Sequence, residues 1–196
     1  MAKAHLEALV LAAGAGSRFG GGKLLAPWRG GLLIEGALAV AYAAPVEGVT
    51  LVCGADPMVE QAARAFAGAR PLTVVRAEAW SQGLSASLKA GIAALPKDRT
   101  GVLVFLGDMP RVPHSVLAPL TEALAGGAPA AIPVFGGEMG HPAALSVGLF
   151  GEMLKLEGDR GARRLLERLG SSLVRVEAPD DGVLFDVDRP GDLDQS

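Results

Sequence analysis

The sequence predicts an α/β doubly wound fold, three layers (α/β/α) around a mostly parallel sheet. Short β-rich apolar runs alternate along the chain with amphipathic stretches at helical spacing. The runs themselves are almost continuously apolar, as strands are when helices cover both faces of a sheet. Side chains suited to chemistry fall just after these runs, where ligands bind in such sheets.

Taken in order, ALVLAA from Ala8 reads as the first strand and opens into the small-residue loop LAAGAGSRFGGGK between Leu11 and Lys23. A helical pattern over 32–44 follows, then VTLVCG from Val49, a helix over 57–66, and LTVVRA from Leu72. Next come a helix over 84–95, GVLVFLGD from Gly101, a helix over 114–124, AAIPVF from Ala130, a helix over 162–169 and LVRVEA from Leu173. Gly126, Gly127 and Pro129, like Gly136 and Gly137, mark loops. With no repeat, low-complexity tract or linker, a single domain over 1–196 is expected.

Half of the 196 residues are apolar, enough for one well-buried core. A net charge of −3 and only 5% aromatic residues offer neither the basic stripe nor the stacking platforms that nucleic acid asks for, so a small-molecule partner is expected. Cys53, the only cysteine, excludes an intramolecular disulfide and a cysteine-rich metal site, and inside VTLVCG it reads as strand filler. His5 and Glu7 interrupt the first apolar run before it resembles a signal peptide, and no run is long enough to cross a bilayer. A cytoplasmic protein without a membrane partner is the expectation.

The loop is the most informative segment. Gly14, Gly16, Gly20, Gly21 and Gly22 have no Cβ and can take positive φ, so successive backbone N–H groups can turn toward one anion. Arg18 and Lys23 add full charges, and the helix expected after the loop would aim its positive end at the same place. Together these suit a nucleoside triphosphate. Two other glycine motifs fail letter by letter: a P-loop needs a hydroxyl where Leu24 stands, and a dinucleotide fingerprint needs glycine where Phe19 stands. The missing glycine disfavours a nicotinamide-dependent oxidoreductase.

Gly107-Asp108-Met109-Pro110 ends a buried strand with a carboxylate at its tip. Asp108 reads either as a cap for a helix opening near Pro110, Pro113 and His114, or as a hard oxygen ligand for the Mg²⁺ that accompanies a triphosphate. FDVDRPGDL from Phe185 supplies Asp186 and Asp188 at alternate positions, which lie on opposite faces if the segment is extended, so only one is expected to reach a metal.

Taken together, LAAGxGxRxGxxK, GDMP and DVDxPxDL resemble the nucleotidyltransferases that move a nucleoside monophosphate from an NTP and release pyrophosphate. WSQGLSASLKAG from Trp80, GEMGHPAAL from Gly137 and GDRGARRLL from Gly158 narrow the resemblance to the molybdenum cofactor cytidylyltransferases. It runs from about Ala8 to Leu193. It implies a Rossmann-like nucleotidyltransferase fold, CTP and molybdopterin as substrates, Mg²⁺ as cofactor, and a recipient molybdoenzyme or its chaperone. It also implies Arg18, Lys23 and Asp108 as catalytic groups and Asp108 with Asp188 as metal ligands. Leu11, Ala12, Ala13, Gly14, Gly16 and Ser17 would contact the nucleotide, and Leu-Ala-Ala-Gly in place of Leu-Ala-Gly-Gly implies cytidine rather than guanosine. The sequence departs from the relatives at Phe19, commonly methionine, and at Arg189 and Gly191, where Thr-Pro-Glu-Asp is usual.

Gln82, Gly83 and Ser85 precede a helix body and can hydrogen-bond a base or ribose, with Ser87 open to either a functional or a core reading. His141 is expected to line the acceptor pocket, and Asp159, Arg160 and Arg163 to clamp an anionic acceptor. Trp28, His5 and His114 read as structural. Rival readings are a nucleotidyltransferase using GTP or another phosphorylated acceptor, and a non-catalytic cofactor-delivery protein.

Overall fold

The computed structural model describes residues 4–54, 56–158 and 161–195. The strands are β1 (Leu6–Ala12), β2 (Pro27–Trp28), β3 (Gly31–Leu32), β4 (Gly48–Cys53), β5 (Thr73–Arg76), β6 (Gly101–Leu106), β7 (Ala130–Phe135), β8 (Glu138–Met139), β9 (Ala143–Ser146) and β10 (Leu173–Glu177). The helices are α1 (Leu33–Ala43), α2 (Pro57–Ala67), α3 (Leu84–Ala94), α4 (Leu117–Ala125), α5 (Phe150–Met153) and α6 (Gly161–Arg168). The central sheet runs β10-β7-β9-β6-β1-β4-β5, with β8 paired to β7, while β2 and β3 form a separate hairpin.

Strand β1 is parallel to both β4 and β6, Leu9 facing Thr50 on one side and Val104 on the other. The sheet is mostly parallel, as expected, but β9 lies antiparallel between β6 and β7. Successive residues of β1 bury into different layers: Ala8, Val10 and Ala12 pack with Leu33, Ile34, Leu38, Val59, Leu117 and Leu120 on the face covered by α1, α2 and α4. Leu9, Leu11 and Ala13 pack with Leu88, Ile92, Met153, Leu165 and Leu166 from α3, α5 and α6. That two-sided burial explains the unbroken apolar run in the sequence.

Local signals set the helix ends. Asp56 accepts a hydrogen bond from the Met58 amide at 2.9 Å and Pro57 occupies the first turn of α2. Glu35 accepts from the Leu32 amide at 3.0 Å to start α1.

From β1 the chain builds outward through β4 to β5, then returns to β6 on the other side of β1. The connections leaving the carboxyl ends of β1 and β6 therefore diverge and open a crevice between them. No helix among the described residues is long and apolar enough to cross a membrane.

Candidate functional site

The loop after β1 folds on positive φ at Gly16 (61°), Gly20 (94°), Gly21 (95°) and Gly22 (63°). It makes two short 3-10 turns, Ser17–Phe19 and Lys23–Leu25, and the helix expected after it over 32–44 is α1, which starts at Leu33. Consecutive left-handed glycines cannot propagate a right-handed helix. The amides of Phe19, Gly20 and Gly21 donate to the Gly16 and Ser17 carbonyls within the loop. Those of 14–18 donate to nothing else in the described chain and are available to an anion. Gly16 lets the loop close on itself, since a Cβ there would lie 2.9 Å from the Cβ of Lys23.

At the tip of β6 the Gly107 amide donates to the Leu11 carbonyl at 2.9 Å, and the Asp108 carbonyl accepts from the Val187 amide at 3.1 Å. These bonds tie the GDMP turn to both the glycine loop and the acidic segment. Asp108 caps no helix: the next helical turn begins at His114 with Pro113 before it. The Asp108 carboxylate instead accepts from Lys23 Nζ at 2.6 Å.

Lys23 Nζ also lies 3.6 Å from Asp188 Oδ1, and Arg18 Nη1 donates to Asp188 Oδ2 at 2.9 Å. Asp186 joins them, because Asp108, Asp186 and Asp188 each offer a carboxylate oxygen, all within 4.8 Å of one another. The expectation that only one member of the pair reaches the site fails, for 185–188 is not a strand and the alternation argument does not apply. Partial withdrawal from water, then the charges of Asp108 and Asp188, push the Asp186 carboxyl above the usual carboxylate range. Three carboxylates and no nitrogen or sulfur ligand make a hard-oxygen set suited to Mg²⁺ or Mn²⁺.

Asp192, within the acidic motif, and Trp28, read from sequence as structural, position this acidic segment. Asp192 accepts from the Asp188 and Arg189 amides at 2.9 and 2.7 Å, bonds that hold its own carboxyl below the usual range. Trp28, buried as expected, packs against Phe185 with ring centroids 6.2 Å apart.

The crevice is a cleft of about 470 Å³. Leu11, Ala12, Ala13, Gly14, Gly16, Ser17, Arg18, Lys23, Asp108 and Asp188 line it, together with Trp80, Ser81, Gly83 and Ser87. Gln82 is exposed and Ser85 buried at the start of α3, and neither lines the cleft. Of the expected set Gly83 lines the cleft, as does Ser87, whose reading the sequence left open, and Ser81 joins them unforeseen.

A second cavity of about 230 Å³ adjoins the first through Leu11, Leu84 and Leu106. Its lining is apolar except for His141 and Arg163. The His141 amide donates to the Val183 carbonyl at 2.8 Å, while the ring Nδ1 is buried without a hydrogen-bond partner among the described residues. Burial lowers the imidazole's pKa, so the ring is neutral at pH 7; a Val104 backbone hydrogen bond and the Asp108 charge offset part of that effect. Arg163 Nε donates to Glu167 at 3.2 Å along α6. Asp159 and Arg160, the other expected acceptor contacts, lie outside the described residues. Burial pushes the Cys53 thiol up to about 11, in keeping with strand filler.

Residues 8–174 match the model of the MobA-like NTP transferase domain. Nicotine blue oxidoreductase of Paenarthrobacter nicotinovorans is 31% identical over 92% of this chain and 90% of its own. Purine catabolism protein PucB of Bacillus subtilis is 30% identical over 99% and 97%. Molybdenum cofactor cytidylyltransferase of Escherichia coli is 24% identical over 96% and 93%. Among solved structures, Rv0371c of Mycobacterium tuberculosis superposes with a TM-score of 0.83 at 27% identity, covering 99% of this chain and 98% of that one. Its complex with manganese gives a TM-score of 0.71 at 25% identity over 89% and 88%.

Proposed function

Because this chain belongs to the MobA-like NTP transferase family, we propose that it is a nucleotidyltransferase that moves CMP from CTP to the terminal phosphate of molybdopterin and releases pyrophosphate. The observation that carries the reading is the meeting of two phosphate-seeking cations with three carboxylates at the carboxyl ends of β1 and β6. The acceptor assignment is supported by the sequence motifs and by the cytidylyltransferase of E. coli. CTP over GTP is supported by the alanine at Ala13.

In this reading the 14–18 amides, Arg18 and Lys23 hold the β- and γ-phosphates, and the cleft wall of Ser81, Gly83 and Ser87 contacts the nucleoside. Asp108 and Asp188, with Asp186 beside them, hold Mg²⁺, for which the manganese complex of Rv0371c is support. Once bound, the ion supplies Lewis acidity at the α-phosphate and neutralises charge on the departing pyrophosphate. The acceptor phosphate is already anionic at neutral pH, so the chain need supply no strong base, only position and charge. The adjoining apolar cavity, with neutral His141 and Arg163, receives the rest of the acceptor. The product then passes to a molybdoenzyme or its chaperone.

The test is pyrophosphate release with Mg²⁺ and each of the four NTPs, with and without molybdopterin. Turnover is expected to need both CTP and molybdopterin and to vanish in Asp108→Ala. Lys23→Ala is expected to lose about 10²–10³ in kcat, the usual range for a lost transition-state donor. Turnover with GTP or another phosphorylated acceptor instead would keep the reaction class and replace the substrates. A second reading rests on the 31% identity to nicotine blue oxidoreductase. No pyrophosphate with any NTP, together with oxidation of a reduced nicotinamide by an added dye, would favour it.

A further inference from the structure

We propose that Lys23 is the resident counter-ion of the carboxylate cluster and that nucleotide phosphates draw it off, so that a divalent cation binds more tightly once the nucleotide is in place. The inference deepens the reading above and rests on its assignment of the cleft to a nucleotide. The ammonium sits between two of the three acids, 2.6 Å from Asp108 Oδ2 and 3.6 Å from Asp188 Oδ1. Its side chain is only 12% exposed, so the attraction is poorly screened by water. Among the described residues Arg18 pairs with Asp188 alone, and its side chain is 79% exposed.

A divalent cation on these carboxylates would meet a like charge a few ångströms away, so free metal binds at a penalty while Lys23 stays. Triphosphate oxygens offer the ammonium a competing partner, because Lys23 follows directly on the glycine loop whose amides face the same anion. Moving Nζ from carboxylate to phosphate bares Asp108 and Asp188 in the same step that brings negative charge to balance the metal. The nucleotide and the ion therefore bind with positive coupling. One residue serves two partners in turn.

The first arm of the test needs no nucleotide. Mn²⁺ is titrated into the ligand-free protein and followed by the electron paramagnetic resonance of the free ion. Lys23→Met is expected to bind Mn²⁺ about tenfold more tightly than the unaltered chain, toward the low end of ordinary coupling between linked sites. Arg18→Met removes the same charge and is expected to change affinity less than threefold. Equal affinities for Lys23→Met and the unaltered chain, or equal gains in both variants, would overturn the proposal, the latter by reducing the effect to net charge.

The second arm measures CTP binding in EDTA. Asp108→Asn is expected to tighten metal-free CTP by freeing Lys23, and that gain is expected to disappear in the Lys23→Met background. A gain of the same size in both backgrounds would overturn the proposal. Failure of CTP to bind in any form would instead count against the nucleotide reading and leave the Mn²⁺ arm to decide for Lys23. A far-ultraviolet circular dichroism melt of each variant verifies folding, and Lys23→Gln replaces Lys23→Met if that variant does not fold.

Discussion

His141 shows how one side chain can join stability to specificity. Its ring lies at the junction of β8 and β9 with Nδ1 buried and without a partner among the described residues, and desolvation lowers its pKa. A histidine with a depressed folded pKa contributes stability that is present above its unfolded value, near 6.5, and lost as pH falls toward and through the folded value. Urea unfolding at pH 7.5 and 5.5 is therefore expected to show a steeper loss for the unaltered protein than for His141→Gln. Equal losses would mean that the ring is solvated or already paired. Burial of Nδ1 was not legible in Gly140-His141-Pro142. The 140–141 backbone is held by Val183, whose carbonyl accepts from the His141 amide and stands where a Cβ on Gly140 would go. The same limit applied to the acidic tail. Spacing identified Asp186 and Asp188 as candidates, but their convergence depends on Asp192 accepting two amides and on Phe185 docking on Trp28, contacts from residues far apart in the chain.

The elements readable from sequence were those whose period reports burial. Helices α1 to α4 and the parallel strands carry clear helical spacing or unbroken apolar runs because the sheet is covered on both sides. Strand β9 carries neither: Ala143-Ala144-Leu145-Ser146 is short and built of small residues, and only its pairing with β6 and β7 makes it a strand. Helix α1 also bears on the site at a position that the sequence left unremarked. Gly36 lies against the GDMP turn, where an added Cβ would stand 2.7 Å from Pro110 Cβ and 3.3 Å from Trp28 Cδ1. Alanine in an open helix is better than glycine by roughly 0.5–1 kcal/mol. Here the rigid proline ring should reverse the sign, and Gly36→Ala is expected to cost about 1–3 kcal/mol through overpacking. Because Pro110 is two residues from Asp108, Mn²⁺ affinity in the presence of CTP should fall as well. A thermal melt showing Gly36→Ala more stable than the unaltered chain would mean that α1 can slide away from the turn without cost.

On the scale of the whole molecule, the two ends of the sheet do different work. The carboxyl ends of β1 and β6 carry the cations and carboxylates of the cleft, whereas the amino ends are tied by an ion-pair network with no part in it. Glu7, 3% exposed, accepts from Thr50 Oγ1 at 2.9 Å and from Arg99 Nε at 2.8 Å. Arg99 also reaches Glu47 at 3.0 Å and Asp98 at 3.1 Å, so one guanidinium fastens the starts of β1, β4 and β6 together. At about 3.3 Å per residue, a strand the length of β1 separates this network from the cleft by roughly 20 Å. Removing Glu7 leaves Arg99, whose side chain is 13% exposed, short of its most buried partner. Glu7→Leu is therefore expected to cost about 2–3 kcal/mol. That is less than the roughly 3–5 kcal/mol of a buried pair broken outright, because Glu47 and Asp98 still face the guanidinium. The rate of pyrophosphate release per folded molecule and the Mn²⁺ affinity should stay as they were, since no atom of the cleft moves. Urea unfolding beside the pyrophosphate assay separates the two quantities. If the variant kept its stability and lost turnover, the amino-terminal edge would have to be coupled to the cleft through β1 itself, and the sheet could not be treated as a rigid platform with one structural and one chemical end.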